Sequence, residues 1–231
     1  MLVDIFSSFD DNNQVFMSFY LLMWLFSLIT VFLFSSSYWV MSPRWNTFIN
    51  LFKETASSQI FRSYGMNMGG FMNIVSGLFL FLIVMNLCGL IPYVFSATSH
   101  LAVSLSLGLP LWLSLIVSAV FFNPSSVVAG LLPMGAPAPL NPFLVIIETV
   151  SIMVRPITLS VRLTANMSAG HIVLTLIGNY LTASFFLSSV FSMLILLSIQ
   201  VLYTVFEFGI SLIQAYIFCL LITLYSDEHP H

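Results

Sequence analysis

Two arginines, two glutamates and a histidine stand in stretches that are otherwise apolar enough to lie in lipid. Between Arg62 and Asp227 the charged residues are Glu148, Arg155, Arg162 and Glu207. An ionisable group at the centre of a lipid-spanning helix costs about 2.5–3.5 kcal/mol on insertion scales, and such groups mark ion or proton paths. A chain that keeps four of them has a use for them. On a helix, Glu148, Arg155 and Arg162 recur every seven residues, drift about 20° per step and so share one face. Asn166, four residues after Arg162, extends that face by a turn. His171 lies about half a turn round and about 13 Å further along. One helix thus offers polar groups at two depths, with a permanent cation between them.

A second polar series runs near the end of the chain. Gln200, Tyr203, Glu207, Ser211 and Gln214 fall at steps of three or four and make one stripe on a helix. A packing seam would account for Ser211 and Gln200. It accounts poorly for Glu207, because an unpaired carboxylate gains nothing from lipid.

The elements that position these residues follow from composition. The 231 residues are 59% hydrophobic and 6% charged, too little charge to cover a soluble domain. The expected fold is an all-α polytopic integral membrane protein with about five membrane-embedded helices, one amphipathic interfacial helix and no soluble domain. Residues 15–40 form the first crossing. Residues 44–64 hold three of the five basic residues, Arg44, Lys53 and Arg62, so the positive-inside rule places this segment on the matrix or cytoplasmic side. Its Trp45, Phe48, Ile49, Phe52 and Ala56 recur at helical spacing and predict a helix lying along the headgroups. Residues 70–92 make the second crossing, with Asn86 inside it as a tie between helices. Residues 101–122 make the third, with Pro110 inside it. Five prolines in 123–142 predict a loop with extended pieces. Two long helices close the chain, at 143–178, interrupted or bent near Pro156, and at 185–225. A polar turn over 179–184 folds them into a hairpin. The last helix, about 60 Å long at the helical rise, has to tilt or bend.

Direct contact between His171 and Glu207 needs a further irregularity. With a turn at 179–184, two straight antiparallel helices leave them about 20 Å apart in depth. A loop or short turn within 179–190 is therefore expected, moving the effective hairpin centre towards residue 189.

The two helices resemble the proton-conducting membrane subunits, subunit a, of the F-type ATP synthases in their mitochondrial form. The resemblance rests on LSVRLTANMSAGH (159–171), IIETVS (146–151) and FEFGISLIQAYIF (206–218), with support from NLCGLIPYVFSATSHL (86–101). It covers essentially the whole chain, and Arg-Leu-x-x-Asn-x-x-Ala-Gly is a specific signature. It implies that Arg162 is the essential arginine, that Asn166, His171, Glu207 and Gln214 are its polar partners, and that Glu148 is the outlying carboxylate. Bacterial relatives place a carboxylate where this chain has His171 and a histidine where it has Glu207, so two titratable groups are kept. Arg155 is less general, since relatives carry Gln or Lys there, and it takes a secondary place with Gln200, Tyr203 and Ser211.

The resemblance further implies a ring of c subunits turning against this chain, with the peripheral stalk, other ATP synthase membrane subunits and lipid as further partners. It implies proton passage through two offset half-channels, with Arg162 as barrier, because an arginine cannot hand a proton on. His171, Glu207 and Gln214 belong to uptake and Glu148 to exit. No cofactor, metal or nucleic acid is implied, and no nucleotide motif is present, so ATP chemistry falls to partner subunits. The expected location is the mitochondrial inner membrane. An acidic start, one lysine and 23 phenylalanines suggest synthesis inside the organelle. A secondary ion-coupled transporter is the alternative, but its usual paired halves are not visible. A purely structural anchor would tolerate loss of Arg162. An intramembrane hydrolase lacks a paired nucleophile and base.

Overall fold

The computed structural model describes residues 44–91, 96–132, 140–187 and 190–229, together with Phe9 and Leu25. The expected first crossing at 15–40 lies outside the described residues apart from Leu25. The described chain is helical: α1 (Arg44–Ile60), α2 (Phe71–Gly89), α3 (Leu101–Phe122), α4 (Pro124–Gly130), α5 (Asn141–Leu187) and α6 (Val190–Asp227). Short 3₁₀ turns occupy Tyr64–Asn67 and Ala97–Ser99. Four helices, α2, α3, α5 and α6, are long and apolar enough to cross a membrane. Large apolar side chains such as Phe121, Phe122, Phe191 and Leu202 stand exposed, as they do where lipid or a partner covers the surface.

α1 ends at Ile60 rather than Tyr64, and the chain then turns into the 3₁₀ segment. Its Ile49, Ala56 and Ile60 are buried and Phe52 packs against the core, while Glu54 points outward. Ile49, Phe52 and Ala56 of the expected stripe thus seat α1 on the ends of α2 and α6, while the side chains of Trp45 and Phe48 lie outside the description. Gln59 donates to the Tyr216 hydroxyl at 2.9 Å, and the Tyr64 amide donates to Asp227 Oδ1 at 2.8 Å. Gly70 precedes α2 at φ 84°, a left-handed conformation that glycine adopts without a Cβ penalty.

Three helices meet where side chains are small. A Cβ on Gly108 of α3 would lie 3.3 Å from Leu159 of α5 and 3.9 Å from Phe218 of α6. Ser104 and Thr164 bond across the same seam at 2.7 Å. Without a hydrophobic drive between helices in lipid, such close approach and interhelical hydrogen bonds hold the bundle. Asn86 of α2 does as its sequence suggests: fully buried, it donates to the Ser211 carbonyl of α6 at 3.2 Å.

Three expectations are corrected. Residues 123–142 are not simply a loop, for Pro124–Gly130 is helical. The Asn123 side chain accepts from the Ser126 amide, and Pro124 stands at the start, where its missing N–H costs nothing. Of the two alternatives for α5, an interruption or a bend near Pro156, the interruption is ruled out: Pro156 is buried in a continuous helix of 47 residues. Membrane helices tolerate proline because neighbours re-satisfy the freed backbone group. Nor do residues 179–184 turn. Thr182 and Ser184 bond the carbonyls of Asn179 and Leu181, three residues back, at 2.8 Å each, so their polarity is satisfied within the helix. α5 therefore runs about 70 Å and α6 about 57 Å at 1.5 Å per residue. Both exceed the ~30 Å hydrocarbon thickness, so they tilt or run past it.

Candidate functional site

With α5 continuous to Leu187 and α6 starting at Val190, the hairpin centre lies near residue 189. His171 is 17 residues before position 188 and Glu207 is 18 after position 189, so the two share a level in the bundle. The register is the one expected. It comes from nine more residues of helix, not from the irregularity proposed for 179–190. Glu207 is 2% exposed, and its carboxylate lies against the α5 backbone at Gly170, the residue before His171. A Cβ at position 170 would overlap that carboxylate. The Tyr203 hydroxyl, one turn back on α6, is within hydrogen-bonding reach of Glu207. His171 is half-buried; its Nε2 is enclosed with no hydrogen-bond partner among the described residues, and the Phe9 ring meets it edge-on at 6.4 Å. Gln200 Oε1 is likewise enclosed without such a partner.

One helical turn towards the other end, Asn166 donates to Gln214 Oε1 at 2.7 Å, tying α5 to α6. Gln214 is buried, whereas Asn166 reaches it from the exposed side of α5. Ser211 is fully buried and bonds the Phe208 carbonyl at 2.7 Å, which makes it part of the packing seam. Arg162 stands apart from this buried set. Leu159, Ser160 and Leu163 around it point inward, and its own side chain faces out of the bundle. No ion pair or side-chain hydrogen bond engages it among the described residues.

The shared face of Glu148, Arg155 and Arg162 continues to the far end of α5. There Arg155 donates to Glu228, just past α6, and its Nη2 lies 3.8 Å from Glu148 Oε1. Its guanidinium carbon sits 5.5 Å from the centre of the Tyr225 ring, a cation–π contact. Glu148, Arg155, Tyr225, Glu228 and His229 line a cavity of about 700 Å³, together with Trp112 of α3. No cluster of three His, Cys, Asp or Glu side chains spaced for a metal occurs among the described residues.

Glu228 escaped the sequence reading, and Gly170, the last residue of the signature, was given no role of its own. Glu228 lies beyond the last periodic residue, in a tail without a motif. Gly170 did carry a signal, since mid-helix glycine costs about 1 kcal/mol against alanine and so implies a close packing partner.

The ATP synthase A chain family model matches residues 15–227. ATP synthase subunit a of Artemia franciscana is 40% identical over 233 residues, covering 99% of this chain and all of the relative. ATP synthase subunit a of Drosophila yakuba is 40% identical over 229 residues, 99% of each chain. ATP synthase F(0) complex subunit a of the fish Scyliorhinus canicula is 44% identical over 168 residues, 71% of this chain and 73% of its own. These matches give no support to a solute transporter. The chain belongs to the ATP synthase subunit a family, the proton-translocating subunits of the ATP synthase membrane sector.

Proposed function

We propose that the chain passes protons through two offset half-channels to and from the carboxylates of a rotating c-subunit ring, with Arg162 between the two. The observation that carries this reading is the contrast on α5: Arg162 faces outward without an anion among the described residues, while Asn166 turns to the buried Gln214 and Glu207 lies buried beside Gly170. A ring carboxylate facing lipid stays neutral, because burial disfavours its charge. Opposite Arg162 its ionised form is favoured, and the proton leaves. Arginine, charged at every working pH, cannot relay that proton, so the ring has to turn to join the two paths. Each proton carries about 2.3 kcal/mol per 100 mV of membrane potential.

His171, Glu207 and Gln214 line the uptake side in this reading, with Gln200 and Tyr203 towards the hairpin end. A buried imidazole nitrogen without a protein partner is a group that water in a channel satisfies. Glu148 serves the exit side. The basic segment 44–64 is fastened to the same end of α6 as the Glu148 cavity, through Gln59 and Tyr64. The positive-inside rule then puts the exit on the matrix face of the mitochondrial inner membrane.

Ala169 is exposed and lies about 20° round α5 from Arg162. In the assembled complex, Ala169→Cys is expected to crosslink under mild oxidation to a cysteine placed beside the carboxylate of a c subunit. Phe121→Cys, on the exposed end of α3, is expected not to. Crosslinking from Phe121→Cys and none from Ala169→Cys would show that the ring runs against another face.

A further inference from the structure

Arg155 has two carboxylates within reach and is bonded to one of them. We propose that Glu228 is a positioning residue for the exit path: it holds the Arg155 guanidinium off Glu148 and so leaves Glu148 free to exchange protons. The inference rests on the proton-channel reading above.

The geometry is a competition. Arg155 donates through Nη1 to Glu228, while Nη2 remains 3.8 Å from Glu148, at the outer limit of an ion pair. The Tyr225 ring, one turn before Glu228, takes one face of the guanidinium and steers it to the α6 side of the cavity. The tail that carries Glu228 is fastened rather than loose. Asp227 accepts from the Tyr64 amide at 2.8 Å, and Ser226 is fully buried against Gly65. The His229 ring packs against Phe122 at 5.9 Å. Position 228 is thereby aimed into the cavity between its two anchored neighbours.

Without Glu228, the remaining carboxylate near Arg155 among the described residues is Glu148. A guanidinium committed to Glu148 occupies its oxygens in a fixed fork and holds it ionised, which a group that must gain and lose a proton does not tolerate. Glu228 need carry no proton itself in this scheme. Its side chain, 56% exposed, is the outermost of the three, and Arg155 at 24% is the most enclosed.

The test uses Glu228→Gln, Arg155→Gln, the double variant and Arg162→Ala in complete complexes reconstituted into liposomes. Initial rates of ATP-driven acidification are divided by the amount of complex assembled on native gels. Glu228→Gln is expected to slow pumping about fivefold or more, Arg155→Gln less than about twofold, and the double variant to return to the Arg155→Gln rate. Recovery by a second lesion is not what a merely structural residue gives. A double variant as slow as Glu228→Gln would overturn the proposal, as would a Glu228→Gln variant at the normal rate. If Glu228→Gln does not assemble, Glu228→Asp, one methylene shorter, takes its place with the same partner substitution. Arg162→Ala separates the two levels: pumping that survives in it overturns the proton-channel reading itself, and pumping lost in it leaves Glu228 to be judged on its own variants.

Discussion

Arg162→Ala is expected to abolish coupled proton transport, by at least about a hundredfold, while the chain still inserts and assembles. The size of the effect follows from where the side chain stands. It faces out of the bundle, with no ion pair among the described residues, so its removal opens no core cavity. The core next to it is built by Leu159 and Leu163, which are untouched. On the proposed mechanism, what is lost is a preorganised charge at the point where a ring carboxylate would ionise. Arg162→Lys recovers only part of the rate, because a lysine amine can lose its proton when desolvated and lacks the planar fork. ATP synthesis and ATP-driven acidification by reconstituted complexes measure both variants. Coupled synthesis at normal rates in Arg162→Ala would remove the mechanism. Arg155→Gln, seven residues away on the same face, is the internal contrast. It is expected to retain most activity, since the Arg155 charge already has Glu228 and Glu148 beside it.

The difference between those two arginines was half legible in the sequence. Their seven-residue spacing placed both on one face, and the specific motif around Arg162 ranked it first. The partner that separates them, Glu228, lies 73 residues from Arg155, in a stretch where periodicity has stopped. Charges placed by the end of one helix against the middle of another leave no local trace. The hairpin failed for a different reason. Asn179 to Ser184 reads as a turn because polar residues interrupt an apolar run. Yet a serine or threonine that bonds a carbonyl one turn back is at home in a lipid-exposed helix. The short α4 was within reach: Asn-Pro at 123–124 is a cap followed by a first-turn proline, but the count of prolines outweighed it. The polar stripe of α6 fared best. A period of 3.6 over fifteen residues fixes one face, and that face carries Glu207, Ser211 and Gln214 into the bundle.

Gly170 and Glu207 offer the sharpest separation of packing from chemistry. Alanine at position 170 raises helix propensity by about 1 kcal/mol, so on backbone grounds Gly170→Ala strengthens α5. Its methyl group would overlap the Glu207 carboxylate, the far end of a flexible side chain, which has to swing away. Backbone and core are spared, and the level shared by Glu207 and His171 is where the change is felt. The expected result is normal assembly with pumping lowered about tenfold. Glu207→Gln keeps the shape, removes the titratable group and lowers pumping by about a hundredfold, the low end for a lost proton-transfer group. Glu207→Asp in the Gly170→Ala background then becomes the informative pair. A carboxylate one methylene shorter clears the new methyl group and restores part of the flux. A purely structural Glu207 predicts the reverse order, with Gly170→Ala unchanged in rate and Glu207→Gln lost from the assembled complex. Normal pumping in Glu207→Gln would remove Glu207 from the proton path, whatever its contact with α5.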